Sequence, residues 1–396
     1  VRVTASSSRT RQRTLSMIYA GGWMSATVKK IEILQVELPF KKVFKHASHE
    51  RCSSNSVFIK IYLDGGVIGY GEALPREYVT GESPGMVYTK LQYDLLQGLI
   101  GAEFSSIKDA SDFIERFEGL DGPCKCATEL ALFDAVGKYY GESVCSFLGE
   151  RVAGEVFYSG VISAGSTASA ALDALKLKLY GFKQVKIKVG LQDDLERLRA
   201  IRRILGENID IRVDANCAWN TEEAIENINM MREFAISAVE QPVKGDDIAG
   251  LKKVTDSVQE TVIADESLCT IDDAQRLASE RACNMFNIRL SKCGGLTNAL
   301  KIADIARQNG IKCQLGCQVG ESGVLSAAGR HFACCVSGID YLEGSYGRFL
   351  LKEDVTKEDT TFSRRGRAGA LKGPGLGVNV ADEVLDRYTV NRAVVE

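Results

Sequence analysis

From about residue 155 onward, short β-rich runs alternate with amphipathic helical runs, and this alternation leaves the chain few architectures. The strand-like runs fall at 157–163, 184–189, 210–216, 238–242, 262–267, 285–292, 312–318 and 341–344. Helical stretches such as DLERLRAIRRILG, TEEAIENINMMREFA and LTNALKIADIARQNG lie between them. Eight strands with intervening helices form the pattern of a parallel β/α barrel. A doubly wound sheet fits less well, because no G-x-G-x-x-G opens a helix after a strand.

The preceding region follows a different grammar. KKIEILQVELPF and SVFIKIYLDGGVIGYGEAL alternate as strands do, and Asp64-Gly65-Gly66 punctuates the second as a hairpin turn. A polar loop is expected over about 41–55, and residues 84–148 read as helices, among them CATELALFDAVGKYYG ending at Gly141. This part is α+β without β/α alternation.

A chain of 396 residues suits two domains, or one large barrel with additions. Hydrophobic residues make up 45%, charged residues 26%, and the net charge is −3. That balance argues against nucleic acid as a partner and against disorder. No apolar run is long enough to cross a bilayer. With no clear secretory signal, the twelve cysteines read as reduced, small, mostly buried hydrophobes, and a cytoplasmic location is expected. Residues 1–27 are basic, serine-rich and free of acids, and are expected to be a disordered leader without a catalytic role.

Five charged residues recur near the carboxyl ends of successive strands: Lys188, Asp214, Glu240, Asp265 and Lys292, spaced 26, 26, 25 and 27 residues apart. Each gap is one βα unit, so the five side chains gather around one barrel mouth. Three carboxylates on neighbouring strands need a cation to stay ionised together. Oxygen-only donors suit Mg²⁺ or Mn²⁺. Lys186 and Lys188, two apart on one strand, share a face. Two crowded ammonium groups are expected to lower the pKa of one enough to make it a base. A lysine on either side of a metal-held carboxylate could then remove the α-proton, leaving an enediolate that the ion stabilises.

The motifs KIKVG (186–190), RVDANCAW (212–219), VEQPV (239–243), IADES (263–267) and LSKCGG (290–295), with GYGEA (69–73) and GPGLG (373–377), resemble the enolase superfamily, specifically its muconate lactonizing enzyme group. The resemblance covers nearly the whole chain after about residue 28. It implies a (β/α)7β modified TIM barrel of class α/β (residues 151–350) under an α+β capping domain (28–150), with 351–396 returning to the cap. It implies Asp214, Glu240 and Asp265 as Mg²⁺ ligands and Lys188 and Lys292 as acid/base catalysts. Lys186 would tune Lys188 and touch the substrate carboxylate, and Asn216 and Glu266 would support the ligands. Mandelate-racemase-like members use a histidine base. Here His46, His49 and His331 are the only histidines, and His331 reads as a packed helical residue.

Within the group the expectation is a muconate-cycloisomerase-like isomerase acting on a small carboxylate. The alternatives are a dipeptide epimerase, an N-acylamino acid racemase or an o-succinylbenzoate synthase-like lyase. The last strand reads YLEG without the Asp-x-Asp of dipeptide epimerases, though Glu343 could do similar work. Glu321 near the mouth is expected to bond Lys292 or substrate, or to sit at a helix N-terminus. Lys45, His46, Arg51, Arg76 and Tyr78 are candidate substrate contacts in capping loops. Homo-oligomers are common among such barrels by resemblance. Two other classes stay open: a Schiff-base lyase using Lys188 or Lys292, and a non-catalytic barrel.

Overall fold

The computed structural model describes residues 25–45 and 50–396. Nearly all of the expected leader, and His46, lie outside them, as does the side chain of Lys45. Among the described residues fifteen strands fall in chain order: β1 (Ala26–Lys45), β2 (Glu50–Leu63), β3 (Ile68–Ala73), β4 (Glu103–Phe104), β5 (Glu155–Phe157), β6 (Gly160–Ile162), β7 (Gln184–Lys188), β8 (Asp210–Asp214), β9 (Ile236–Glu240), β10 (Thr261–Ala264), β11 (Met285–Ile288), β12 (Lys312–Leu315), β13 (Ile339–Leu342), β14 (Arg367–Gly369) and β15 (Thr389–Val395).

β1, β2 and β3 form an antiparallel meander, and the C-terminal β15 adds to the free edge of β1. Register pairs Ile31 with Ile61 and Ile33 with Ile59, so the alternating apolar residues fall on one face. That face lies on the helix Gly122–Tyr140, which is buried from Pro123 to Gly137 and ends where Gly141 turns to φ +74°. The helix comes so close because β3 presents Gly69 and Gly71: a Cβ on Gly71 would stand 1.9 Å from the Ala127 carbonyl oxygen. The polar stretch expected as a loop over 41–55 is instead largely strand, with Phe44 opposite Arg51 in β1 and β2. Lys41, Lys42 and Val43 are exposed in succession, so this end of β1 carries no apolar alternation and pattern alone misreads it.

β6 to β13 run parallel in sequential order as one curled sheet. The Ser159 N–H, just before β6, donates to the Leu342 carbonyl of β13 at 2.8 Å and joins first strand to last. Capping boxes at Asn220/Glu223 and Thr270/Asp273 start two of the outer helices. No helix among the described residues is long and apolar enough to cross a membrane.

Most strands end earlier than sequence alternation indicates. β11 stops at Ile288, and Lys292 rides on a helical turn, Leu290–Cys293, rather than on the strand. Positive φ at Asn216, Cys217, Gln241 and Ser345 turns the chain away from the ladder just past β8, β9 and β13. Apolar residues continue past the last ladder bond because the barrel mouth is itself covered.

Candidate active site

Side chains alternate across each barrel strand, so residues two apart share the interior. At the lower end Ala238, Ile263, Met285 and Tyr341 form a small apolar cluster, separate from the main core. Two residues further along the same strands stand Glu240, Asp265, Asn287 and Glu343, and beside them Lys186, Lys188, Arg212, Asp214 and Gln314. A polar, charged layer thus rests on an apolar plug. The Arg212 guanidinium marks the boundary, lying 4.4 Å from the Tyr341 ring centre.

The structure brings the five regularly spaced residues together. Asp214 and Glu240 are register partners on β8 and β9, and Asp265 follows the end of β10. All three carboxylates are wholly buried. Lys188 Nζ donates to Asp214 Oδ2 at 2.6 Å and to Asn216 Oδ1 at 2.7 Å. Lys292 Nζ donates to Asp265 Oδ1 at 2.8 Å and to the Asp265 and Asn287 carbonyls at 2.6 and 3.1 Å. The two lysines therefore flank the acids from opposite ends.

Lys186 reaches three carboxylates: Glu343 at 2.7 Å, Asp214 at 3.0 Å and Glu240 at 3.3 Å. Lys186 is not the lysine whose pKa falls. Burial works against the charge, but Glu240, Glu343 and Asp214 outweigh it and hold Lys186 well above the ordinary lysine range. Lys292 is likewise raised, burial being outweighed by Asp265. Burial pushes Glu240 up, and Asp214 adds to the push. Burial also disfavours charge on Asp214, yet Lys188 and Lys186 keep it well below the usual carboxylate value.

Several contributors escaped the sequence reading. Arg289 is the foremost: its Nη2 bonds Asp265 and lies 3.5 Å from Glu240, and its Nη1 meets Gln318 Oε1 at 3.2 Å. Asn287 and Gln314 donate to the two Glu240 oxygens at 3.0 and 2.8 Å. The signal was present: in MFNIRL, Asn287 and Arg289 alternate with Phe286 and Ile288 and so point inward. Glu343 also lines the main cavity, and its two oxygens already bond Lys186 and, at 2.5 Å, Arg212.

A cavity of about 250 Å³ opens above this layer. Its charged floor includes Lys186, Lys188, Glu266 and Arg289, and its walls include Tyr78, Val161, Val319, Tyr346, Phe349 and Leu350. Lys292 does not line it and borders a separate cavity of about 530 Å³ with Val79, Lys125 and Cys269. Asn216 Nδ2 donates to Glu266 Oε1 at 3.3 Å, and burial, aided by Asp265, brings Glu266 up to about 7. Glu321 lines the main cavity but accepts from the Gln318 N–H at 2.7 Å rather than from Lys292. Arg51 stacks over Tyr78 at 5.8 Å. Arg76 lies in the loop after β3 but is buried and donates to the Val319 carbonyl at 2.7 Å.

The donor set fits a hard divalent cation, with three buried carboxylates on adjacent strands and only oxygen offered. Among the described residues no three His, Cys, Asp or Glu side chains close into a ready-made cage. The Lys186 ammonium bridges Asp214 and Glu240, and the Arg289 guanidinium bridges Glu240 and Asp265.

Residues 168–384 match the enolase C-terminal domain-like family. Residues 29–149 match the mandelate racemase / muconate lactonizing enzyme N-terminal domain family. An L-Ala-D/L-Glu epimerase of Bacillus subtilis is 33% identical over 88% of this chain and 96% of its own. The crystal structure of an N-succinyl Arg/Lys racemase from Bacillus cereus superposes with a TM-score of 0.87 at 28% identity, covering 94% of this chain and all of that one. A dipeptide epimerase from Cytophaga hutchinsonii, solved with Mg and D-Ala-L-Val, gives 0.85 at 29% identity, covering 93% and 100%.

Proposed function

Because the chain belongs to the mandelate racemase / muconate lactonizing enzyme family of the enolase superfamily, whose isomerases use Mg²⁺, we propose that it is a racemase or epimerase of amide-linked amino-acid carboxylates, moving the α-proton between two lysines. The observation that carries this reading is the placement of Lys188 and Lys292 at opposite ends of one buried acidic row. Inverting a carbon needs a proton taken from one face and another delivered to the opposite face, and a lysine on each side supplies both. Relatives at 30% identity or more include epimerases and a racemase, which supports the same reading.

In this reading Asp214, Glu240 and Asp265 hold the Mg²⁺. The ion supplies Lewis-acid charge to the substrate carboxylate. Lys186 and Arg289, at the floor of the cavity, add positive charge where negative charge grows on the substrate as the α-proton leaves. Lys188, the partly exposed one of the two flanking lysines, takes or returns the proton on its side, and Asn216 fixes its direction. The ring of apolar walls excludes water and accepts an apolar side chain.

Three buried atoms on cavity-lining residues have no hydrogen-bond partner, Glu266 Oε2, Arg289 Nε and Gln318 Nε2. The first accepts and the other two donate, and a substrate amide offers both an N–H and a carbonyl oxygen. With Glu343 already engaged by Lys186 and Arg212, an N-acylamino acid suits the site better than a dipeptide with a free ammonium. A cytoplasmic location accompanies this reading, as unbridged cysteines suit a reducing compartment.

One observation favours a second reading. Lys292 has no surface in the main cavity, and a reaction in which one lysine does all the proton work, such as cycloisomerisation of a muconate, needs none there. The test is incubation with Mg²⁺ and N-acylated L-amino acids bearing apolar side chains in D₂O, followed by NMR and polarimetry. Exchange of the α-proton with loss of optical rotation is expected. Absence of exchange across N-acylamino acids and dipeptides, with lactone formed from muconate, would overturn it in favour of the second reading.

A further inference from the structure

Among residues that do not line the active-site cavity, two cysteines from different parts of the fold meet. Cys145 lies in the short helix Val144–Leu148, and Cys335 is the last residue of the barrel helix Gly323–Cys335. Their sulfurs are 2.7 Å apart, although 190 residues separate them in sequence. A disulfide needs about 2.05 Å, so the pair lacks only a sub-ångström approach.

The surroundings differentiate the two thiols. His331, one turn before Cys335 on the same helix, shares a side-chain hydrogen bond with Cys145. Its Nε2 donates to the Leu376 carbonyl at 3.0 Å. A carbonyl oxygen only accepts, so Nε2 carries the hydrogen and Nδ1 is the acceptor of the neutral ring. The Arg151 guanidinium lies 3.8 Å from Cys145 Sγ. The His331 hydrogen bond, with those of Cys335 and Arg151, outweighs burial and brings the Cys145 thiol down to about 6. Cys335 goes the other way: burial first, then its contact with Cys145, push it up to about 12. An anionic sulfur touching a neutral thiol, with a positive group alongside, is the arrangement that lets one cysteine attack an oxidant and the other resolve the product. The α-proton chemistry uses none of these groups.

We propose that Cys145 and Cys335 form a redox-active dithiol that a peroxide oxidises to a disulfide, fastening the N-terminal part of the chain to the barrel. The Cys145 thiolate attacks one peroxide oxygen and the O–O bond breaks. This leaves a Cys145 sulfenic acid and a hydroxide, which takes the proton that the Cys145 thiol had passed to His331 Nδ1 and becomes water, returning His331 to its neutral form. The Cys335 sulfur then attacks the sulfenic sulfur. Its proton and the sulfenic hydroxyl depart as a second water while the S–S bond forms. Two thiols are oxidised and one peroxide is reduced to two waters.

The test uses the full chain with Cys52→Ser, because Cys52 is an exposed thiol that would react on its own. The protein is treated with a small excess of hydrogen peroxide, denatured in alkylating reagent and mapped by mass spectrometry. Two thiols are lost, one cross-linked peptide pair carries Cys145 and Cys335, and dithiothreitol restores both. With Cys335→Ser added, Cys145 stops at a dimedone-reactive sulfenic acid; with Cys145→Ser added, neither product forms. Full retention of thiols at peroxide doses that oxidise free N-acetylcysteine, or cross-links confined to other cysteines, overturns the proposal. The mapping of the Cys52→Ser chain decides the matter alone if either further variant fails to fold.

Discussion

Replacing Gly71 by alanine isolates the contact that seats the N-terminal sheet on its helix. The new Cβ would lie 1.9 Å from the Ala127 carbonyl oxygen and 2.5 Å from the Ala131 nitrogen. Ordinary carbon–oxygen contact begins near about 3.3 Å, so strand and helix must part by roughly an ångström or more. Both obstructing atoms are backbone, and no change of rotamer relieves them. Overpacking typically costs 1–3 kcal/mol; with a helix buried from Pro123 to Gly137, the upper end, about 3 kcal/mol, applies. That is roughly a hundredfold in the folded-to-unfolded ratio. Activity should fall as well. The next residue, Glu72, accepts from Ser56 Oγ at 2.9 Å and from the Ser322 and Leu325 N–H groups, so it ties the sheet to the helix that follows β12. The assay is guanidinium unfolding followed by circular dichroism, beside Gly81→Ala as control. Gly81 sits at φ +75° in open space, so alanine there pays only backbone strain, about 1 kcal/mol. A Gly71→Ala protein no less stable than Gly81→Ala would refute the steric argument.

Three further outcomes are expected. Burial brings Glu129, beneath the Leu296 and Thr297 N–H groups, up from 4.5 to about 7. Its folded form binds the proton more readily, so this stability is full below pH about 4.5 and lost as pH rises through 7. Glu129→Gln should then flatten the decline in stability between pH 5 and 8.5, and an unchanged pH profile in thermal melts would count against it. Glu343→Gln removes the charge shared by Lys186 and Arg212 and should destabilise by about 3 kcal/mol and lower turnover at least tenfold; denaturation within 1 kcal/mol of the parent would contradict the network. Removing divalent ions with EDTA should abolish turnover and added Mg²⁺ should restore it, whereas full activity in EDTA would remove the metal from the reaction.

The charges that recur once per βα unit were legible because strand, helix and return take a nearly constant number of residues, so Asp214, Glu240 and Asp265 stand out by position. Arg289 and Gln314 did not, because each has its own unit's meaning only when the inward face of its strand is known. Glu343 was visible as an acid, but its occupation by Lys186 and Arg212 depends on contacts between strands that are distant in sequence. The raised pKa of Lys186 was not legible for the same reason: Lys188 is two residues away in sequence, whereas the three carboxylates that decide the matter come from β8, β9 and just beyond β13. Tyr78 and Arg51 were found as loop residues, but their stacking is a product of the arm formed by β1 and β2.

Lys292 backs onto a different hollow from the one that receives Lys188, and an apolar floor closes the barrel beneath both. On the proposed reaction, Lys188, which is partly exposed, would exchange its hydrogens with bulk water faster than Lys292, whose side chain is wholly buried. The two directions of turnover need not then wash out an isotopic label at the same rate: product formed from one enantiomer would keep a memory of the substrate's hydrogen that product formed from the other would lose.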